Sequence, residues 1–374
     1  MGLLKQTEIG FRQGLLRMLR VFVKRRNPLP RELDFNSCTF LFVRQDRIGD
    51  VLVSTPLIHA LKKHYPGATV DFLLSTNNHF VLEHEPLVRN RWIYRKNPLG
   101  AIETLVTIRR QHYDFVIDLM DNPSTTSTVI CLCSGGKWTV GLSKENAYAY
   151  DIAVPLLSRK ETHIVDRLGR LLTVFGIEPD REEFRIRYAT SKDSDLFARE
   201  FWGRSGLSGK FVIGMNVSPA KGVRFWGRKN YQELLRRLLA EKPGMKLLLL
   251  HQPADREEAA SIAEPFPDVL LSPVTSSFDR FAALVRELSM LITPDTSAVH
   301  LAAAFNIPSV VLYVQSNKSL RIWEAYGSPS ETLVTDVDDL SSIPPEQVLA
   351  AVRRLLQRTR LGHHEARNES TRVG

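Results

Sequence analysis

Two kinds of apolar spacing alternate along the chain: short, mostly apolar runs, and longer stretches in which apolar residues recur with the period of a helix. Residues 39–44, 68–74 and 115–119 are short runs with the composition of strands. Between them, residues 51–64 and 102–111 have helical spacing. Short apolar strands that alternate with helices predict a parallel sheet covered by helices on both faces.

The same alternation begins again after a polar stretch, residues 181–195, that has no strong periodicity. It predicts strands at 211–217, 246–251, 290–293 and 309–313, and helices at 231–240, 278–288, 298–305 and 345–357. Two such series indicate an α/β protein of two Rossmann-like halves, joined near residues 185–208. Ligands of such sheets bind beyond the carboxyl ends of the strands, which favours a site in a cleft between the halves.

The length of 374 residues also agrees with two domains. We predict Rossmann-like domains at residues 31–190 and 205–357, a basic arm at 1–30 and a polar tail at 358–374. A hydrophobic content of 43% and a charged content of 24% are ordinary for a soluble globular protein. The sequence shows neither a secretory signal nor an apolar window long enough to span a bilayer.

The net charge of +9 is concentrated in two blocks. Residues 1–31 carry +7 and residues 201–250 carry +8, which leaves the rest of the chain acidic at −6. A uniformly basic nucleic-acid-binding protein would not have this distribution, so we predict no nucleic-acid partner.

The first basic block combines charge with an apolar stripe. Phe11, Leu15, Leu19 and Phe22 recur at helical spacing, and three basic residues follow at 24–26. This pattern is typical of a helix that lies in an anionic membrane surface, here through residues 10–26. A helix packed on the body of the protein, with its arginines in solvent, fits the same pattern.

The sequence does not indicate a metal site. Cys38, Cys131 and Cys133 are too few for a disulfide framework, and the Cys-x-Cys pair has no second pair at zinc spacing. We therefore predict reduced cysteines in a cytoplasmic protein. Two Asp-x-Asp pairs, at 193–195 and 336–338, fall in stretches predicted as polar linkers, and we interpret both as solvated acids.

The first motif with candidate chemistry, RQDRIGDVL at 44–52, leads from the first predicted strand directly into the first helix. Gly49 permits a tight turn with close backbone approach, and Asp50 lies where the helix begins. A carboxylate at that place could take a proton from a substrate hydroxyl. The alternative is that Asp50 is an ordinary helix N-cap, stabilised by the helix dipole.

The second motif, NVSPAKGVRFW at 216–226, follows the first strand of the second half. Its Ser218, Lys221 and Arg224 suit an anionic ligand, because lysine supplies a point charge and arginine a fork for phosphate oxygens. The alternative is a solvated basic loop that Trp226 anchors to the core.

The third motif, PDTSAVHLAAA at 294–304, connects a strand to an alanine-rich helix. Thr296 and Ser297 would present hydroxyls and backbone N–H groups at a helix N-terminus, which is a natural phosphate site, and His300 lies on the first turn. Asp295 or Thr296 acting as the N-cap would explain part of the same pattern.

In their order and spacing, the three motifs resemble the ADP-heptose:lipopolysaccharide heptosyltransferases, the glycosyltransferases of family 9. The resemblance covers residues 38–357 and rests on residues 47–56, 221–226 and 295–303. It implies the GT-B fold, in which two Rossmann-like domains face each other across a cleft. The N-terminal domain would take the acceptor and the C-terminal domain the nucleotide sugar.

The resemblance further implies an inverting transfer of a heptose from a nucleotide-diphosphate donor, expected to be ADP-heptose, without a metal ion or cofactor. The acceptor would be a lipopolysaccharide core or a similar lipid-linked glycan at the inner face of the cytoplasmic membrane. Asp50 matches the catalytic base. The expected donor-binding residues are Ser218, Lys221, Arg224, Asp295, Thr296, Ser297 and His300. On the acceptor side we expect Arg47, Gly49, Asp121 and Asn122, the last two in a loop that could hydrogen-bond a sugar or be merely polar.

Three turns depart from the family's pattern. Ser297 stands where a glycine is usual, residues 314–316 replace a Gly-Pro-Thr turn, and residues 251–254 replace a turn that is often glycine-rich. Because these turns surround the expected donor pocket, two alternatives remain open. One is a catalytically degenerate protein that only binds a nucleotide sugar or glycolipid, and the other is a nucleotide-sugar epimerase of the same fold.

Overall fold

The computed structural model describes all atoms of residues 27–30, 32–241, 244–315 and 323–358, the backbone of 359–370, and Gly14, Met18 and Arg20. The segment predicted to contact a membrane, residues 10–26, therefore lies almost wholly outside the described residues. The chain divides into two compact units, Met1–Phe184 and Arg185–Gly374. No helix among the described residues is long and apolar enough to cross a bilayer.

The first unit contains one parallel sheet of six strands in the order β3-β2-β1-β4-β5-β6. The strands are β1 (Thr39–Val43), β2 (Thr69–Ser75), β3 (Asn90–Tyr94), β4 (Phe115–Asp118), β5 (Trp138–Leu142) and β6 (Ile152–Val154). The helices are α1 (Ile48–Leu52), α2 (Thr55–His64), α3 (Pro98–Arg110), α4 (Thr125–Cys133) and α5 (Ile164–Gly169). β1 and β4 are buried along almost their whole length because they lie at the centre of the sheet.

The second unit repeats this connectivity, with the strand order β12-β11-β10-β7-β8-β9. The strands are β7 (Val212–Asn216), β8 (Lys246–Leu250), β9 (Val269–Leu271), β10 (Met290–Pro294), β11 (Ser309–Tyr313) and β12 (Ser330–Val334). The helices are α6 (Lys192–Arg204), α7 (Arg228–Glu241), α8 (Arg256–Ala263), α9 (Phe278–Arg286), α10 (Ser297–Ala304) and α11 (Pro345–Ser370). All of its strand pairs are parallel.

Each sheet has a point at which the strand order reverses. From β1 the chain builds outward to β2 and β3, and then returns to add β4 on the other side of β1. The second unit does the same with β7 and β10. At such a switch point two neighbouring loops leave the carboxyl edge of the sheet and open a crevice, which is where doubly wound α/β folds bind ligands. The three motifs lie at these two places.

The structure corrects several predicted elements. The single helix predicted at 51–64 is two helices, because Val53 and Ser54 form a turn and Pro56 is suited to the first turn of α2. The edge strand β3 was not predicted, because its residues alternate between half-buried and exposed and it lacks a continuous apolar run. The strands β5, β6, β9 and β12 were not predicted either. The helix predicted to end at 357 continues to Ser370, through most of the predicted polar tail.

The Asp193–Asp195 pair does not lie in a linker. Both acids are in the first turn of α6, where Ser191 is the N-cap and accepts a hydrogen bond from the N–H of Ser194. The helix dipole favours carboxylates at that place. Asp195 also forms an ion pair with Arg286 at 2.8 Å, so its interpretation as a solvated acid was wrong. The pair at 336–338 is exposed.

Candidate functional site

At the carboxyl end of β1, Arg44 joins the loop after β1 to the loop after β4. Its side chain is fully buried, and its Nη1 donates to the carbonyl oxygen of Leu119. Its Nε lies 3.2 Å from Oδ1 of Asp46 and 3.0 Å from the carbonyl oxygen of Asp50. Its Nη2 lies 3.2 Å from Oδ1 of Asp50. One buried cation therefore holds two carboxylates at the switch point of the first sheet.

Asp50 is the third residue of α1 and is not its N-cap. Arg47 occupies the N-cap position, and its backbone N–H donates to Oδ2 of Asp50 at 2.9 Å. With Arg44 on Oδ1, both oxygens of Asp50 are oriented by donors while 7% of the residue remains exposed. Gly49 lies within α1, where its carbonyl accepts from the N–H of Val53, so the predicted tight turn at Gly49 was wrong. The capping arrangement fixes the orientation of the carboxylate.

Asp46 is a third charged member of this cluster, and it is not among the site residues predicted from the motifs. Burial raises the pKa of Asp46 to about 7, with a further contribution from the charge of Asp50, while Arg44 opposes the rise. Asn78 holds the loop in place, because its Nδ2 donates to the carbonyl oxygens of both Arg44 and Asp46 at 3.3 Å. Asn78 precedes a 3₁₀ turn far from motif 44–52 in the sequence, so no local signal could have identified it.

The loop after β4 adds an ion-pair network. Asp121 is buried, and its Oδ2 lies 3.0 Å from Nη2 of Arg167 and 3.4 Å from Nη2 of Arg159. Burial lowers the pKa of Arg167, against the attraction of Asp121. Asn122 is exposed, and its Nδ2 donates to Oδ1 of Asp121 at 3.3 Å. The two arginines were missed because they follow β6, more than 35 residues along the chain from Asp121.

In the second unit, Asn216 connects the second and third motifs. Its Nδ2 donates to Oγ1 of Thr293 at 3.0 Å and to Oγ1 of Thr296 at 3.3 Å. Its Oδ1 accepts from the N–H of Ser218 at 3.1 Å, and Oγ of Ser218 accepts from the N–H of Gln252 at 3.0 Å. The buried amide thus fixes three loops that leave the carboxyl edge of the second sheet. Asn216 was within the second motif, but only its contacts show what it does.

The start of α10 has the geometry of an anion-binding helix N-terminus. Thr296 is the N-cap, and its Oγ1 accepts from the N–H of Ala298 at 3.3 Å. Ser297 is the first helical residue. Among the described non-glycine residues only His112 and Asn306 have positive φ, so Ser297 replaces the usual glycine without strain in the backbone. The departure from the family pattern at this position therefore leaves the helix N-terminus intact.

The charged side chains of the basic loop after β7 are exposed, and a buried tryptophan anchors the end of the loop. Lys221 and Arg224 are both exposed, and Nη2 of Arg224 lies 3.9 Å from Oδ2 of Asp295. Trp226 is fully buried, and its Nε1 donates to the carbonyl oxygen of Ile343 at 2.8 Å. The anchoring by Trp226 that was put forward as the alternative is therefore present. It is compatible with ligand binding, since it positions the loop and leaves both cations accessible.

His300 supplies no positive charge to this site at neutral pH. It is 4% exposed, and burial lowers its pKa to about 4. Its ring lies 6.5 Å from that of Trp323, and its Nδ1 has no hydrogen-bond partner among the described residues. Any contact that His300 makes with a donor is therefore that of a neutral imidazole.

The predicted site residues thus form two groups, one in each unit. The first contains Arg47, Gly49, Asp50, Asp121 and Asn122. The second contains Ser218, Lys221, Arg224, Asp295, Thr296, Ser297 and His300. Among the described residues, no group of three or more His, Cys, Asp or Glu side chains is arranged to hold a metal ion.

Comparison with known families decides what kind of protein this is. The profile of glycosyltransferase family 9 (heptosyltransferase) matches residues 104–334, which is more than half of the chain. The chain belongs to this family. The resemblance inferred from the three motifs is therefore confirmed, and the protein is a glycosyltransferase of the heptosyltransferase type.

Curated relatives and solved structures agree with this assignment. The glycosyltransferase is 23% identical to lipopolysaccharide heptosyltransferase 3 from Escherichia coli, over 84% of this chain and 98% of the relative. It is 22% identical to lipopolysaccharide heptosyltransferase 1 from Salmonella typhimurium, over 75% of this chain and 89% of the relative.

Among solved structures, a family 9 glycosyltransferase from Veillonella parvula is similar with a TM-score of 0.75 and 20% identity, over 87% of this chain and 99% of that one. The ADP-heptose lipopolysaccharide heptosyltransferase II of E. coli has a TM-score of 0.67 at 20% identity, over 86% and 99% of the two chains. The E. coli heptosyltransferase WaaC with ADP has a TM-score of 0.66 at 17% identity, over 85% and 99%. The predicted GT-B fold with two Rossmann-like domains is confirmed.

Proposed function

We propose that this glycosyltransferase transfers a heptose from a nucleotide-diphosphate donor, ADP-heptose, to a lipopolysaccharide core or a similar lipid-linked glycan, with inversion and without a metal ion or cofactor. The observation that carries the proposal is the Asp50 carboxylate, oriented on both oxygens at the switch point of the first sheet. The names of the relatives support the reaction class, and a structure of the E. coli enzyme with ADP-2-deoxy-2-fluoro heptose supports the donor.

In the first unit, Asp50 acts as the general base. The acceptor hydroxyl gives its proton to the carboxylate while its oxygen bonds to the anomeric carbon of the heptose. The bond from that carbon to the diphosphate breaks, and the nucleoside diphosphate leaves with the electron pair. Attack from the face opposite the leaving group inverts the configuration. The exposed side chains of Arg47 and Asn122 contact the acceptor, and Gly49 and Asp121 shape its site.

In the second unit, the leaving diphosphate is stabilised by fixed charges and dipoles. Lys221 and Arg224 supply positive charge from an anchored loop. Thr296 and Ser297 present the N-terminus of α10, whose backbone N–H groups favour an anion. Protein cations and N–H groups are sufficient to stabilise a leaving anion. Ser218, Asp295 and the neutral His300 complete the donor site.

The donor is tested by thermal shift against ADP-, UDP-, GDP- and CDP-sugars. We expect ADP-heptose at about 100 times its Kd to add about 2.7 kcal/mol to the stability of the native state, with a rise in Tm. Arg224→Ala should weaken donor binding by about 10–100-fold, because it removes a charge-assisted contact. Arg228→Ala, which removes an arginine paired with Glu258 in the same charge block, is the matched control.

The outcomes separate the candidate functions. If no nucleotide sugar raises Tm, the donor site is placed wrongly. If Arg224→Ala and Arg228→Ala behave alike, the basic loop does not bind the donor. A donor that binds without turnover against any acceptor would identify a degenerate binding protein instead of a transferase.

We further propose that residues 10–26 attach the enzyme to the anionic inner face of the cytoplasmic membrane, where a lipid-linked acceptor would be found. The arm ends at Asn27, whose N–H donates to Asp151 and whose Nδ2 donates to the carbonyl of Lys137, both at 2.9 Å. Arg20 lies 5.2 Å from the centroid of the Tyr148 ring, which is the kind of contact that the packed-helix alternative predicts.

Removal of residues 1–26, with the Asn27 contacts retained, should weaken binding to anionic vesicles at least about tenfold, since it removes several basic residues near the surface. The measurement is co-flotation with vesicles of phosphatidylglycerol and phosphatidylcholine, and donor binding should be unchanged. Equal flotation of the shortened and complete chains would leave only the packed-helix interpretation.

A further inference from the structure

Helix α3 carries an apolar stripe that the rest of the first unit leaves uncovered. Leu99, Ile102 and Val106 are 81%, 59% and 42% exposed. Their spacing of i, i+3 and i+7 places them on one side of the helix. The opposite side, with Thr104 and Ile108, is buried against the unit. Large apolar side chains scattered singly on a surface are ordinary, but three in a line on one helix form a surface for contact.

Basic residues lie at both ends of this stripe. Arg95 and Lys96 precede Asn97, the N-cap of α3, and Arg109 and Arg110 lie in its last turn. All four are exposed. Glu103 is the one acid on the helix, and it lies 3.8 Å from Arg95 with both side chains mostly in solvent. Among the described residues, Lys96, Arg109 and Arg110 have no acidic partner. The stripe is therefore an apolar strip about 10 Å long, on a helix with cations near each end.

We propose that the exposed face of α3 docks on an anionic lipid bilayer, as a second membrane contact that is separate from the amino-terminal arm. An apolar stripe flanked by unpaired cations is complementary to acyl chains beneath anionic headgroups. A second copy of the chain fits less well, because a two-fold contact along this stripe would bring the cations at its ends against those of the other copy.

The contact at α3 uses residues that are separate from the arm. Helix α3 connects β3 to β4, and its last turn comes close to the end of the arm: Arg109 packs against Gly135, two residues before Lys137, whose carbonyl accepts from Nδ2 of Asn27. The arm and the exposed face of α3 would therefore contact the bilayer from neighbouring parts of the first unit. The inference does not depend on the donor, on the acceptor or on transfer activity.

The experiment compares the complete chain with the variant L99S/I102S/V106S. Binding to vesicles of phosphatidylglycerol and phosphatidylcholine is expected to fall about tenfold or more, since the variant loses the three exposed apolar side chains that would enter the bilayer. The matched control, L196S/V337S, alters residues that are also exposed, at 52% and 57%, and should bind like the parent. Equal Tm values show that both variants fold. The same comparison in the chain that lacks residues 1–26 should give the same ratio.

The charges are tested separately. Loss of one cation should lower binding to the anionic vesicles by about fivefold, and K96E/R110E, which reverses two charges, should lower it further. Binding to phosphatidylcholine alone should change little. Unchanged vesicle binding by L99S/I102S/V106S overturns the proposal. If the parent chain self-associates while L99S/I102S/V106S is monomeric and binds vesicles as the parent does, a second copy of the chain covers the face. Failure of heptose transfer would overturn the proposed function and leave these results unaffected.

Discussion

Asp50→Asn should lower kcat for heptose transfer by about 10²–10⁴-fold, the range that loss of a general base typically costs. The amide can still accept the hydrogen bond from the N–H of Arg47, so the start of α1 should be kept. It cannot take a proton from the acceptor. Its NH₂ group would also face Nη2 of Arg44, now 3.2 Å from Oδ1 of Asp50. Release of nucleoside diphosphate in the presence of acceptor is the measurement.

Two further variants show whether the loss is chemical. Asp50→Ala removes the side chain without the unfavourable contact to Arg44, and should be as inactive as Asp50→Asn with the donor-induced rise in Tm preserved. Asp114→Asn is the matched control at the amino end of β4, where Asp114 pairs with Lys137 at 2.6 Å. It should reduce stability and leave kcat unchanged. Full transfer activity in either Asp50 variant would remove the general-base role.

The motifs were predictable because each is a local signal. Asp50 lies within seven residues of the end of the central strand β1, and Thr296 is the N-cap of the helix that follows the central strand β10. Such signals can be recognised in the sequence because a turn or a helix cap is formed by consecutive residues. The parallel sheets were predictable for a similar reason, since short apolar strands that alternate with helices are typical of parallel sheets covered on both faces.

The partners of the motifs could not be predicted, because they come from distant parts of the chain. Asn78 holds the loop before α1, and Arg167 pairs with Asp121, but neither has a local pattern that distinguishes it from an ordinary polar residue. The raised pKa of Asp46 depends on burial beside Arg44, which is a property of the folded unit. The sequence thus located the proposed general base, and the structure was needed to show which groups orient it.

The edge elements were missed for a different reason. β3 alternates exposed and half-buried residues, and β12 is mostly half-buried, so neither has the continuous apolar run of a central strand. The exposed stripe on α3 was missed for the converse reason: from the sequence, Leu99 and Ile102 are simply apolar residues of a helix. Only the packing shows that they face away from the core.

Arg44→Met should destabilise the first unit by about 3–5 kcal/mol, the usual effect of removing one partner from a buried ion pair. Methionine fills a similar volume, so the loss is mainly electrostatic and not a cavity. It leaves Asp46 and Asp50 close together without their cation, and it leaves the carbonyl of Leu119 without its donor. Thermal or urea unfolding followed by circular dichroism gives the free energy of unfolding.

The pH dependence identifies the cause. The folded-state pKa of Asp46 is already raised, to about 7 against an ordinary 3.8, and Arg44 is what limits that rise. A carboxyl group whose pKa is higher in the folded state binds more protons there, so its contribution favours folding at low pH and is lost as the pH rises through the folded-state value. Without Arg44 this pKa rises further, so the deficit of Arg44→Met should be largest above pH 7 and should shrink toward pH 5.

Asp46→Asn in the Arg44→Met background supplies the decisive comparison. It removes one of the two unpaired carboxylates, so it should recover part of the lost stability at pH 8 and little at pH 5, where Asp46 is already protonated. Asp46→Asn alone should flatten the fall in stability between pH 5 and 8. A deficit of Arg44→Met that is the same at both pH values would contradict this account. It would mean that Arg44 acts through its packing and its bond to Leu119, and not as the counter-charge that holds Asp50 in place.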